Sequence, residues 1–149
     1  MKDKTYEIMG DFLKLIEVVA NGKRKVLDFG GDMVFYRGEI HMIKVIGDYS
    51  GIYVSELARH FNITRAVVSK TVIKLERNGF VRKEEDPSDK KRVCLYLTER
   101  GQKAYDAHHA FHLASDHPMY DFLDGLEEDH AKVIKAFMER ANEMVKKHF

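Results

Sequence analysis

Val54-Ser55-Glu56-Leu57-Ala58-Arg59-His60-Phe61-Asn62-Ile63-Thr64-Arg65-Ala66-Val67-Val68-Ser69-Lys70 opens the stretch whose reading decides the fold. Leu57, Ala58 and Phe61 share one face of residues 54–61, the spacing of a short amphipathic helix. Asn62-Ile63 leaves room only for a tight turn, and Thr64 supplies the side-chain oxygen that an N-cap needs. The helix that follows spans Arg65 to Asn78 and stops at Gly79, a residue suited to the C′ position. Val68, Val72 and Leu75 are its inward stripe, while Arg65, Ser69, Lys70 and Lys74 look outward. Two short helices joined by so brief a turn make a helix-turn-helix.

Two strand-like runs come next, Phe80-Val81-Arg82-Lys83 and Val93-Cys94-Leu95-Tyr96-Leu97. The polar residues from Glu84 to Arg92 join them, with Asp86-Pro87-Ser88-Asp89 as the turn. A β-hairpin directly after a helix-turn-helix is a wing. Thr98-Glu99 then opens a helix that reaches about Ser115, with Pro118 marking a break. The last helix spans Glu127 to Lys147, with Val133, Ile134, Phe137, Ala141 and Met144 as its stripe. On the N-terminal side, Met9, Phe12, Leu13, Ile16 and Val19 mark a helix ending near Asn21-Gly22 or continuing to Gly30-Gly31. Asp32 is the expected N-cap of a second helix running to Ile46, closed by Gly47 and the turn-rich Asp48-Tyr49-Ser50-Gly51. The fold class is mainly α with a small β-hairpin wing. Residues 32–100 carry the winged helix-turn-helix, with flanking helical segments at 1–31 and 101–149.

The composition is that of an ordinary globular protein of 149 residues, 44% hydrophobic and 33% charged. Apolar runs of about 18 residues are missing, which excludes a membrane-spanning helix. The opening Met1-Lys2-Asp3-Lys4-Thr5-Tyr6-Glu7 carries acidic residues and lacks the apolar stretch of a secretory leader, and Cys94 has no partner for an internal disulfide. These features lead us to expect a cytoplasmic protein. The net charge of +1 hides a segregation: ten basic residues face five acidic ones between Arg59 and Arg92, while the rest of the chain is net acidic. A basic centre on an acidic scaffold suits nucleic acid. Asp28-Phe29-Gly30 spells a kinase triplet, but no glycine-rich loop or catalytic loop accompanies it.

Val54-Ser55-Glu56-Leu57-Ala58, Ile63-Thr64, Val68-Ser69-Lys70, Lys74-Leu75-Glu76, Gly79-Phe80-Val81, Asp86-Pro87-Ser88-Asp89 and Leu97-Thr98-Glu99-Arg100-Gly101 together closely resemble the multiple-antibiotic-resistance regulator (MarR) family. The motifs occupy roughly a third of the chain, in the family's order. The resemblance implies a homodimeric DNA-binding transcription regulator, expected to repress, in which 1–31 and 101–149 supply the dimerisation helices. The family's wing usually carries Asp-x-Arg after its turn. Here that arginine position holds Lys91, with Arg92 one residue later, so which of the two reaches DNA stays open.

The chemistry of the outward residues agrees with that resemblance. A helix fits the major groove of double-stranded DNA, where base edges present a distinguishable donor and acceptor pattern. Arg65 is expected to read bases, with Thr64 at the helix entrance and Ser69, Lys70 and Lys74 holding phosphates. Lys90, Lys91 and Arg92 at the wing suit the narrow minor groove. Helix-turn-helix proteins pair to cover two half-sites, so a two-fold dimer on a pseudo-palindromic operator follows.

Eight histidines supply the best clue to an input signal. His108 and His112 stand four apart on the helix after the wing, as paired metal ligands do, and His109 lies between them. With His41 they resemble the histidine ligands of the family's zinc-uptake repressors. That resemblance implies Zn²⁺ as co-repressor, bridging the second helix to the post-wing helix and setting the distance between the two recognition helices. Those repressors add a glutamate from the first helix region, for which Glu17 and Asp28 are the candidates here. Their second site uses a cysteine and two glutamates, and Ile40 and Ala107 are poor replacements. The competing input is an aromatic or amphipathic small molecule held by Phe35, Tyr36, Tyr49 and Phe111. A metal-dependent enzyme would also need a general base and a substrate cleft, to which no motif points. A winged helix that no longer touches DNA would have lost its outward cations, and they are present.

Overall fold

The computed structural model describes residues 2–22 and 25–148. The chain divides into two compact units, residues 1–109 and 110–149. The first holds α1 (Asp3–Asn21), β1 (Val26–Asp28), β2 (Val34–Tyr36), α2 (Arg37–Asp48), β3 (Ile52–Tyr53), α3 (Val54–Phe61), α4 (Arg65–Arg77), β4 (Val81–Glu85) and β5 (Val93–Leu97). The division falls inside α5 (Glu99–Asp124), and the second unit is completed by α6 (Glu128–His148).

The core of the first unit grows from the periodicities of its helices. Ile40, Ile43 and Ile46 on α2, Leu57 on α3, and Val68, Val72 and Leu75 on α4 are almost wholly buried. They close over Leu95 of β5 and over Phe35, whose ring meets that of Phe80 edge-on at 4.8 Å. Each such side chain contributes roughly 1.5–3 kcal/mol by leaving water. The wing is a three-stranded antiparallel sheet in the order β3-β5-β4, with Tyr53 opposite Cys94 and Lys83 opposite Leu95. The two-residue β3 was not anticipated from the sequence; its pairing with β5 ties the wing back to the start of α3.

Local chemistry explains the joints. Asn62 adopts left-handed dihedrals (φ 52°), which an asparagine tolerates, and this turns the chain between α3 and α4. Thr98 hydrogen-bonds across the wing root: its hydroxyl donates to the Gly79 carbonyl and accepts from the Gly101 amide at 3.0 Å. Gly101 lies against the residue that precedes β4, where any Cβ would collide with the Phe80 carbonyl oxygen. The Leu97-Thr98-Glu99-Arg100-Gly101 motif is therefore the hinge between wing and α5.

Two sequence expectations are corrected. The second helix does not start after Asp32. Residues 26–36 form a hairpin instead, pairing Val26 with Tyr36 and Leu27 with Phe35, and α2 begins at Arg37. Gly30, Gly31 and Asp32 all have positive φ, and the Asp28 carboxylate accepts the Gly30 N–H at 2.8 Å. The glycines are a hairpin turn, and the alternating apolar residues around them have the period of a strand. Pro118 does not break α5, which continues to Asp124. A proline removes one intrahelical hydrogen bond, and the remaining bonds of this 26-residue helix carry it through. The first helix ends at Asn21, the shorter of its two expected lengths.

α1 has no buried residue among those described, and Leu13, Val18 and Val19 are about half exposed or more. In the second unit Leu113, Phe122, Val133 and Met138 are likewise exposed. No described helix is long and apolar enough to cross a membrane.

Candidate nucleic-acid interface and metal centre

The N-cap of α4 is Thr64, whose Oγ1 accepts the Val67 N–H at 3.3 Å. With Val68, Val72 and Leu75 inward, the opposite face carries exposed Arg65 and Lys70 and half-buried Ser69. Lys74 is different. Its ammonium is ion-paired to the buried carboxylate of Glu39 and stands 5.2 Å from the centre of the Tyr36 ring. Glu39 also accepts the Tyr36 N–H at 2.9 Å, so one carboxylate serves the start of α2 and a cation of α4.

The wing cations divide in the same way. Lys90 and Lys91 are exposed at the turn. Arg92 folds back, its guanidinium 4.8 Å from the centre of the Tyr53 ring and its Nε 3.6 Å from Asp89. Asp86 holds this arrangement together. It is 6% exposed, accepts the Tyr53 hydroxyl, and accepts the Ser88 amide and hydroxyl at 2.8 and 2.7 Å. These hydrogen bonds, that from Tyr53 foremost, hold the Asp86 carboxyl down to about 2, and the same contact pushes the Tyr53 phenol up. Sequence reading took Asp86 for a turn residue and missed Tyr53 altogether; an aspartate opening the wing turn was the only signal available.

The histidines are positioned by α2 and α5. Tyr105 of α5 donates to Asp48 of α2 at 2.6 Å, and its ring lies against Gly47, fixing the two helices side by side. One turn on, the rings of His41 and His108 stand 5.4 Å apart at 61°. His108 is buried, with Phe29 of the β1–β2 turn edge-on to it at 6.1 Å. α5 is unbroken helix, so His112 is placed by the single turn separating it from His108. His41 and His108 face each other within the first unit, and His112 follows one helical turn beyond His108 on α5. His112 Nδ1 meets Asp116 Oδ2 at 2.8 Å, and the Asp116 carboxyl is held low by His112 first and Ser115 second. Asp116, four residues beyond His112, went unnoticed in the sequence. Among the described residues neither Glu17 nor Asp28 joins the group: Glu17 is exposed on α1, and Asp28 serves its own turn.

Of the aromatic residues expected to line an effector pocket, Tyr36 and Tyr49 line separate clefts. Phe35 belongs to the core, and Phe111 lies on the part of α5 in the second unit. Tyr36 lines a cleft of about 600 Å³ along α4, and Tyr49 a separate cleft of about 640 Å³ beside His60.

A helix-turn-helix with its wing, basic on the outer face, is matched over residues 35–93 by the model of the MarR family. Residues 35–93 belong to the MarR family. The chain is similar to the HTH-type transcriptional regulator PchR of Bacillus subtilis, 31% identical over 101 residues and 68% of this chain. The chain spans 60% of the length of that relative. Among solved MarR structures, the zinc-responsive ZitR of Lactococcus lactis superposes with a TM-score of 0.77 at 20% identity, covering 95% of this chain and 99% of its own. FabT of Streptococcus pneumoniae, solved in complex with DNA, gives 0.64 at 23% identity, covering 99% and 96%. At such identities these two matches establish the MarR fold that the chain shares with them.

Proposed function

We propose that the chain is a homodimeric DNA-binding transcription regulator, not an enzyme, which represses when Zn²⁺ is bound by His41, His108 and His112. The observation that carries the DNA-binding reading is the outer face of α4, where Arg65, Ser69 and Lys70 stand beside a wing tipped by Lys90 and Lys91. Cations of this kind neutralise backbone phosphates, while a helix in the major groove reads base edges. The relative PchR, named a transcriptional regulator, and FabT, solved with DNA, support the reading. The exposed apolar stripes of α1 and α6 support pairing of two copies, because such surface is costly to leave in water.

The zinc reading rests on the paired rings of His41 and His108, 5.4 Å apart, and on His112 one helical turn beyond His108. Zn²⁺ binds imidazole nitrogen at about 2.0–2.1 Å and prefers four ligands in a tetrahedron. The donor set therefore fits zinc, with water or a residue outside the trio as fourth ligand. Asp116 on Nδ1 of His112 is the usual outer partner of a metal-bound histidine and would leave Nε2 for a metal. Bound there, zinc would tie α2 to α5 and favour one of two dimer shapes. ZitR, which is described as zinc-responsive, shares the fold and lends support.

Footprinting over the region upstream of the protein's own gene, with zinc and with chelator, tests both halves. Protection that strengthens with zinc is the expected result. Protection indifferent to zinc would leave a DNA-binding regulator with another effector, and no protection at low ionic strength would end the reading.

A further inference from the structure

We infer that Arg92 is not a minor-groove reader but one wall of a seat for a DNA backbone phosphate, shared with Arg59 and Arg65. A cleft of about 470 Å³ lies between the α3–α4 turn and the edge of the wing formed by Tyr53 and Arg92. Three guanidinium-bearing residues line it from three elements: Arg59 from α3, Arg65 from α4, and Arg92 from the strand entrance of the wing. The single carboxylate in its lining, Glu56, is turned to the Tyr53 N–H at 2.9 Å. Among the described residues no carboxylate pairs with Arg59 or Arg65, and Asp89, 3.6 Å from Arg92 Nε, offsets only part of the repulsion among the three cations. An anion among them removes that repulsion, and a guanidinium fork matches phosphate oxygens two at a time.

Arg92 is built into this place. Its guanidinium stacks on Tyr53, the Tyr53 hydroxyl donates to buried Asp86, and Asp86 is also bonded by Ser88. A cation held by a stacked ring and a hydrogen-bond chain loses little freedom on binding. Arg92 sits at the turn end of the wing, where its carbonyl accepts the Asp86 N–H, and its guanidinium folds back over Tyr53 into the cleft. The tip belongs to Lys90 and Lys91, both exposed. A phosphodiester flanking the major-groove contact of α4 is the anion this geometry suits, because Arg65 belongs to both surfaces.

The inference rests on the DNA-binding reading above, and the test separates the two. Affinity of the full chain is measured against salt concentration on a duplex from its own upstream region, on an A·T-only duplex and on a G·C-only duplex. Arg92→Gln is expected to weaken all three by a similar factor, about ten-fold, and to flatten the salt dependence by about one phosphate contact. Arg59→Gln, remote from the wing's internal contacts, is expected to do the same and guards against a misfolded Arg92 variant. Lys91→Gln is expected instead to narrow the preference for A·T over G·C. If Arg92→Gln shifts that preference and leaves the salt slope alone, the minor groove is its site and the inference is wrong. Unchanged binding in Arg92→Gln and Arg59→Gln would also overturn it. Inorganic phosphate that saturates the wild-type protein yet leaves duplex affinity untouched would show a seat for a free anion and refute the assignment to DNA. Wild-type protein that ignores every duplex at low salt refutes the underlying reading instead.

Discussion

Lys74 on the outer face of α4 is ion-paired with Glu39, a buried carboxylate at the start of α2. Glu39 is simultaneously bonded to the backbone of Tyr36, and the Lys74 ammonium sits over the Tyr36 ring. A cation so engaged is a strut between helices before it is a ligand for phosphate. Lys74→Ala should therefore lower stability by about 1 kcal/mol, the scale of a half-exposed ion pair. It should change the salt dependence of DNA binding less than Lys70→Ala does. Denaturant titration beside binding isotherms for both variants checks this, and equal slope changes would return Lys74 to the phosphate contacts.

Gly101 makes the sharpest structural prediction. Its missing Cβ is what lets α5 start against the Phe80 carbonyl. Gly101→Ala should cost about 3 kcal/mol or more, since backbone has to move to admit the methyl. Gly10→Ala, with open space around the added methyl, should be neutral or slightly stabilising. Thermal melts of the two variants decide it.

Asp86 ties the order of the wing to pH. Its carboxyl lies at about 2 in the folded protein against the ordinary 3.8. A lowered carboxyl stabilises the folded form at every pH above the unfolded value, and that contribution is lost as pH falls from 3.8 through about 2. Hydrogen exchange at the Ser88 amide should accelerate in that interval. Asp86→Asn should exchange fast already at neutral pH and show no such step; a matching step in the variant would trace the transition to another group.

The histidine group is best probed at Asp116 and His112, which are half exposed and can be changed without opening the core. Loss of an outer carboxylate partner lowers metal affinity by about 10–100-fold. Asp116→Asn should weaken zinc binding by that amount in competition with a chelator, and His112→Ala by more, with secondary structure unchanged by circular dichroism. Equal zinc affinity in wild type and His112→Ala would remove zinc from the proposal.

The sequence alone determined the helix-turn-helix, the wing and the identity of the outward face. Those depend on contacts a few residues apart, where a period of 3.6 or 2, a threonine cap or a glycine stop is legible in the chain. It also singled out three histidines, two of them a helical turn apart. Local patterning misread residues 26–36, because a hairpin there is settled by Phe35 meeting Phe80 in the core. Only the tertiary structure decided which cations face outward unengaged and which are already held. Lys74 meets Glu39 across 35 positions, and Tyr53 meets Asp86 across 33. No spacing rule reaches that far: such pairs exist only once apolar burial has brought distant elements together.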